Sequence, residues 1–195
     1  MKLSLNYKNN NLIKIVFIIF AVIVVSISAF FSVGVIERRF FYPVKYLDEI
    51  KTYSNRFNLD ISLVISVIRV ESSFDKNATS NKGAKGLMQL TDSTAKFVSK
   101  MLNVNFYDVY DIDTNILFGS RYIRYLLDRF GDEDLAIIAY NAGEGNLAKW
   151  LNDCKNYDKI QFINNVPFNE TRDYFAKIIK TRKKYKKLYP QIVDK

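Results

Sequence analysis

An all-helical domain behind a single membrane-spanning helix is the fold class this sequence predicts, on three observations. Apolar residues recur at helical spacing along most of the chain, and no alternating run is long enough for a strand. Only three prolines and seven glycines punctuate the 195 residues, which suits long helices better than the dense turns of a sheet protein. Ile15 to Ile36 is a run of 22 residues without a charge, long enough to cross a bilayer as a helix.

The uncharged run comes first. Lys2, Lys8 and Lys14 precede it, and Glu37, Arg38 and Arg39 follow. A cleaved signal peptide has a shorter apolar core, about 7 to 15 residues, so residues 15–36 read as an uncleaved transmembrane signal anchor behind a cytoplasmic tail, 1–14. Ser26-Ile27-Ser28-Ala29 offers a cleavage site, which is the competing reading. Positive charge flanks both ends, so the charge rule leaves orientation open.

Pro43 is placed to open the first helix of the domain, with Val44, Leu47, Ile50 and Phe57 on one face and Asn58 closing it. Asp60 is the expected N-cap of a second helix running through Glu71. Asp75 to Lys85 is polar and reads as a loop. Thr91 or Asp92 caps a helix through Leu102, and another runs from about Asp113 to Phe130 with Gly131 as its stop. Asp132 to Ala142 reads as a short buried helix ending at Gly143. A further short helix carries Leu147, Trp150 and Leu151, and the last, Glu170 to Leu188, buries Tyr174, Ile178 and Tyr185.

Composition removes several chemistries. No histidine occurs, which excludes Ser-His-Asp and Cys-His catalysis and histidine-ligated zinc. Cys154 is the lone cysteine, so no intramolecular disulfide forms. Carboxylates are left as the acid–base groups. The net charge is +9 overall and +6 over residues 37–195. Arg182, Lys183, Lys184, Lys186 and Lys187 concentrate it near the C-terminus, where it suits anionic polymers or lipid headgroups. No nucleic-acid motif accompanies it, and nucleic acid is not an expected partner.

Glu71 is the residue that carries most information. It joins the helical face of Val64, Val67 and Ile68 at spacings of seven, four and three. A carboxylate on a core-facing stripe is costly when ionised, so burial raises its pKa. A helix end nearby pushes the same way through its dipole. A carboxyl that keeps its proton near neutral pH is what a general acid requires.

Glu71-Ser72-Ser73-Phe74, Gly83 to Leu90 (GAKGLMQL), Ala139 to Gly143 (AYNAG) and Pro167 to Tyr174 (PFNETRDY) follow one another in the chain. In this order and spacing they resemble the lytic transglycosylases of the soluble-lytic-transglycosylase type, over residues 41–190. The resemblance implies a lysozyme-like catalytic domain, a peptidoglycan substrate, and Glu71 as the single acid/base for cutting between N-acetylmuramic acid and N-acetylglucosamine. It implies a substrate site of Ser80, Met88, Gln89, Tyr140, Asn141, Glu170 and Tyr174. Ser80 would lie near the acetamido or lactyl groups, Met88 would face a sugar ring and Gln89 would bond hydroxyls. Tyr140 and Asn141 would orient the acetamido group, while Glu170 and Tyr174 return to the cleft. No metal or cofactor is implied. A wall-cutting domain must lie outside the bacterial cytoplasmic membrane, which makes the chain single-pass. Two other readings stand beside this one. The first is a muramidase that uses water, with Asp75, Glu144 or Glu170 as its second carboxylate; the second is a catalytically silent peptidoglycan-binding module.

Overall fold

In a computed structural model, residues 14, 16–26, 34–154 and 157–193 are described. The chain divides into two units, Met1–Pro43 and Val44–Lys195. In the first, residues 16–26 form helix α1 and Glu37–Phe41 a single turn of π-helix. Residues 1–13, 15 and 27–33 lie outside the described residues, and with them most of the expected tail and part of the expected membrane segment. Among the described residues no helix is long and apolar enough to cross a membrane.

The described residues of the second unit form nine helices joined by turns and loops: α2 (Leu47–Arg56), α3 (Ile61–Ser72), α4 (Asp92–Leu102), α5 (Ile112–Phe130), α6 (Glu133–Ala142), α7 (Glu144–Asp153), α8 (Lys159–Asn164), α9 (Asn169–Leu188) and α10 (Pro190–Val193). Its described residues hold no strand beyond the isolated bridges Thr79–Lys85 and Lys85–Leu90. Side-chain caps start the helices where short polar residues precede apolar periodicity. Asp60 accepts from the Ser62 N–H, Thr91 from Thr94, Asp111 from Thr114 and Asp132 from Leu135. The first helix opens at Leu47 rather than Pro43, because Tyr46 stands just before it in the left-handed region at φ 57°. Asp111 starts α5 a little ahead of the expected Asp113. Helices α8 and α10, of 6 and 4 residues, are too short to show a period in the sequence.

Helix α3 is the axis of the domain. Every residue from Ile61 to Ile68 is buried, as expected of a helix that is apolar around its whole circumference. It packs most extensively against α9 and also against α2. Its buried serines are satisfied locally: Ser66 Oγ donates to the Ser62 carbonyl at 2.6 Å, and Ser62 Oγ to Asp60 Oδ1 at 2.5 Å. A second apolar cluster, formed among others by Leu90, Val98, Phe118, Leu126, Ile138 and Leu147, joins α4, α5, α6 and α7.

The N-terminal end of α3 is tied to α9 by charge. Arg182 Nη2 donates to Asp60 Oδ2 at 2.6 Å, Arg182 Nη1 bonds Glu133, and Lys186 Nζ lies 2.9 Å from Asp60 Oδ2. Burial alone would raise the Asp60 pKa, but the hydrogen bonds from Ser62, Arg182 and Lys186 outweigh it and hold the carboxyl well below the usual carboxylate range. Arg182, only 17% exposed, is therefore engaged within the fold and leaves the surface expected to meet anionic polymers, while Lys186 pairs with Asp60 from a half-exposed position. Replacing Arg182 with Ala leaves two carboxylates without their main partner and is expected to cost about 3 kcal/mol at pH 7, read by urea denaturation. A depressed carboxylate stabilises above its unfolded pKa and loses that contribution as pH falls through the folded value. The penalty of the Arg182→Ala change therefore shrinks as Asp60 protonates in strong acid.

Candidate active site

The last turn of α3 carries Glu71, and the chain then reverses sharply. Ser73 at φ 54° and Phe74 at φ 66° are consecutive non-glycine residues in the left-handed region, a costly arrangement held by the burial of the Phe74 ring. Gln89, at φ 47°, is a third. All three belong to the segments that frame Glu71.

Glu71 is half-buried as a residue, its carboxyl is largely enclosed by protein, and its pKa is pushed up to about 7. Loss of hydration is the main cause; an interaction with the Tyr174 hydroxyl works against it, and the charge of Glu170 adds to it. Burial holds the Tyr140 and Tyr174 hydroxyls well above their ordinary pKa, and the charge of Glu71 contributes to both. The Tyr174 hydroxyl is buried and reaches ordinary hydrogen-bond geometry with no protein atom.

The loop from Lys85 to Gln89 is fastened to three helices. Ser72 Oγ, beside Glu71, donates to the Leu87 carbonyl at 2.8 Å. Asn115 of α5 accepts from the Met88 N–H at 2.8 Å, while its Nδ2 donates to the carbonyls of Lys85 at 3.1 Å and Val109 at 2.6 Å. Tyr140 of α6 donates its hydroxyl proton to the Met88 carbonyl at 2.7 Å. Gly86, at φ 73°, leaves no room for a Cβ, which would stand 2.7 Å from the Val109 oxygen.

Several expected site residues take roles that differ from the expectation. Met88 is fully buried and packs on Gly119, where an added Cβ would meet its sulfur at 2.2 Å. Its side chain therefore belongs to the core and not to a sugar-facing wall, because the backbone at this turn directs it inward. Gln89 commits its Nε2 to the carbonyls of Gly86 at 2.9 Å and Ala78 at 3.2 Å, so its carbonyl oxygen is the end outside these bonds. The Tyr140 proton is likewise committed, leaving its oxygen to accept. Ser80 Oγ accepts from the N–H groups of Ala84 at 3.0 Å and Lys82 at 3.3 Å, which shapes the loop and leaves the hydroxyl hydrogen in neither bond. Asn141 accepts at Oδ1 from Thr171 at 2.8 Å. Glu170 is exposed in the first turn of α9 and pairs with Lys82 at 3.0 Å, joining the loop to that helix.

Tyr140, Tyr174 and Glu170 are thus brought into the electrostatic reach of Glu71. The other candidate carboxylates are engaged elsewhere. Asp75 accepts from the Asn77 N–H in an exposed turn, and Glu144 bonds Arg129 at 2.5 Å and the Tyr125 hydroxyl at 2.7 Å. Sequence reasoning missed Ser72, Asn115, Lys82 and Thr171. Ser72 and Thr171 sit inside recognised motifs, which was the available signal; Asn115 and Lys82 carried none.

A helical, lysozyme-like domain with a glutamate of raised pKa at the end of its central helix, beside the Tyr140 and Tyr174 hydroxyls, is the class that fold and site define. The chain belongs to the transglycosylase SLT domain family, whose pattern matches residues 48–163. It is 33% identical over 150 residues to the soluble lytic murein transglycosylase of Escherichia coli, a match covering 74% of this chain and 23% of that protein. It is 29% identical over 170 residues to the membrane-bound lytic murein transglycosylase C of Edwardsiella ictaluri, covering 74% of this chain and 47% of the relative. Among solved structures it is similar to an inactive glutamate-to-glutamine mutant of the lytic transglycosylase Slt from Pseudomonas aeruginosa. There the TM-score is 0.72 with 30% identity over 82% of this chain and 27% of the other. The chain therefore spans about a quarter to a half of the length of these relatives.

The raised pKa of Glu71 has a consequence for stability. A carboxyl with a folded pKa near 7 contributes most below its unfolded value, and that contribution is lost as pH rises through 7. In Glu71→Gln the loss is absent. The variant is expected to match the parent at pH 3 and to exceed it by about 1–3 kcal/mol at pH 8, read by urea denaturation at both pH values.

Proposed function

We propose that this chain is a peptidoglycan lytic transglycosylase with Glu71 as its single acid/base. The observation that carries the reading is a carboxyl held near pKa 7 with its rival carboxylates bound up in turns and ion pairs. The family membership supports it, as does a structural neighbour inactivated by exchanging one glutamate for glutamine.

Glu71 protonates the oxygen linking N-acetylmuramic acid to N-acetylglucosamine as the C1–O bond breaks. The acetamido carbonyl of the muramic acid stabilises the positive C1 through an oxazolinium-like intermediate. Glu71, now a carboxylate, takes the proton of the 6-hydroxyl while that oxygen attacks C1. A 1,6-anhydro sugar results, no water is consumed, and the acid is regenerated. Asn141, Gln89, Ser80 and the Tyr140 oxygen serve as fixed partners for the polar groups of the glycan; Glu170 and Tyr174 border the acid.

Residues 41–190 are the catalytic domain in this reading. Residues 15–36 anchor it to the cytoplasmic membrane, with 1–14 inside and the domain outside; the uncharged run supports this, and relatives are named both soluble and membrane-bound. Of the rival readings, hydrolysis has one observation in its favour, the charge of Glu170 acting on Glu71.

Mass spectrometry of muropeptides released from purified peptidoglycan by the full chain separates the readings. The expected products are 1,6-anhydro ends, one water lighter than reducing ends, and Glu71→Gln abolishes them. Reducing-end products that require both Glu71 and Glu170 would establish the hydrolase instead. Activity surviving in Glu71→Gln would overturn both.

A further inference from the structure

Helix α9 buries Thr171, Tyr174, Ile178 and Tyr185 on one side, and its other side is rich in lysine. Lys180, Lys183 and Lys187 recur there at spacings of three and four, which sets them on one stripe of the helix. All three are exposed, and none forms a hydrogen bond or an ion pair with a described residue. In this they differ from Arg182 and Lys186, which Asp60 and Glu133 hold within the fold. Like charges at such spacings repel one another, so the fold itself gains nothing from the stripe. It is the arrangement expected where a partner supplies the negative charge.

Beside the stripe lies a groove of about 660 Å³ between α8 and α9. Ile163 of α8 and Phe175 and Ile179 of α9 supply its apolar lining, and Lys180 and Lys183 line it as well. Asp173 is the only acidic side chain among the described residues that line it. Ile160 precedes Ile163 by three residues and Asn164 by four, which sets it on the face of α8 that lines the groove. It is 73% exposed. A solitary exposed isoleucine is ordinary, but one beside an apolar groove and a lysine stripe completes an amphipathic surface. Surfaces of this kind seat at a membrane interface, with apolar side chains among the lipids and lysines at the phosphates. A polymer of phosphates alone would satisfy the lysines and leave the groove and Ile160 in water. A phospholipid satisfies both.

We propose that the outer face of α9, together with the α8–α9 groove and Ile160, is a docking surface for anionic phospholipid. The inner face of the same helix packs on α3 and α6 and borders Glu71 through Tyr174. Docking therefore uses the side of α9 turned away from the candidate active site. The surface is separate from the glycan-cutting reading, and its test does not depend on turnover.

Lysine footprinting of the full chain, reconstituted in nanodiscs of phosphatidylcholine with or without phosphatidylglycerol, tests this. Acetylation rates of individual lysines are read by mass spectrometry, with the exposed Lys76 and Lys100 as internal controls. Phosphatidylglycerol is expected to slow Lys180, Lys183 and Lys187 about tenfold and to leave the two controls unchanged. Residues 15–36 are present in both preparations, so their own attraction to lipid cancels in the comparison. Lys180→Gln combined with Lys183→Gln alters only exposed side chains and is expected to return Lys187 to its rate on phosphatidylcholine. Ile160→Ser is expected to make the protection vanish at a salt concentration where the parent still retains it, because only the electrostatic part is then left. Equal rates on the two lipids, or the same slowing at Lys76 and Lys100, would overturn the inference. Equal protection by soluble polyphosphate on phosphatidylcholine nanodiscs, with Ile160→Ser without effect, would also overturn it and assign the stripe to a polyanion.

Discussion

A carboxyl that must hold its proton near neutral pH has to be kept from bulk water while its tip stays open to a ligand. The end of a buried helix that stops just short of the surface meets both demands, and the rest of the domain serves to hold α3 there. Its first turn is clamped to α9 through Asp60, Arg182 and Ser62. Its last turn is pinned to the Leu87 carbonyl by Ser72. One face of α9 runs from Thr171 and Tyr174 at the site, through buried Ile178, to Arg182 and Tyr185 at the clamp, at spacings of three and four. The helix that stabilises one end of α3 therefore also supplies groups that surround its catalytic candidate at the other.

Several polar residues of the motif segments share a common design. Each has one end already used by the protein: the Tyr140 proton by Met88, the Gln89 nitrogen by Gly86 and Ala78, the Asn141 oxygen by Thr171, the Ser80 lone pairs by Lys82 and Ala84. What remains of each is a donor or an acceptor of fixed sense. Groups of fixed sense need no reorganisation to meet a partner, which is the condition under which fixed dipoles are most effective. The left-handed backbone at Ser73, Phe74 and Gln89 is the strain that accompanies this arrangement, and the buried Phe74 ring and the Asn115 hydrogen bonds oppose its relaxation.

Much of the fold was legible because its signals are local. Asp60 and Thr91 cap their helices as their side chains suggest, and Gly131 and Gly143 sit where α5 and α6 end. The apolar stripe of α3 identified Glu71 as a carboxyl short of water. Features that depend on distant partners were not legible. Asn115 reaches Met88 across 27 residues, and Thr171 reaches Asn141 across 30. Met88 shows a different limit: its motif was recognised, but a turn's sequence does not say which side faces the core, and here the side chain turns inward onto Gly119. The identity of a motif residue was thus easier to read than the atom it presents.

The central claim is that lost hydration keeps Glu71 protonated, and a site-specific titration tests it most directly. Carbon-13 NMR of glutamate-labelled full-length protein, with the Glu71 carboxyl assigned by its absence in Glu71→Gln, gives its pKa. A midpoint near 7 is the result the account predicts. A midpoint at the ordinary glutamate value of about 4.3 would contradict it, because Glu71 would then enter the reaction already ionised and could not serve as the acid.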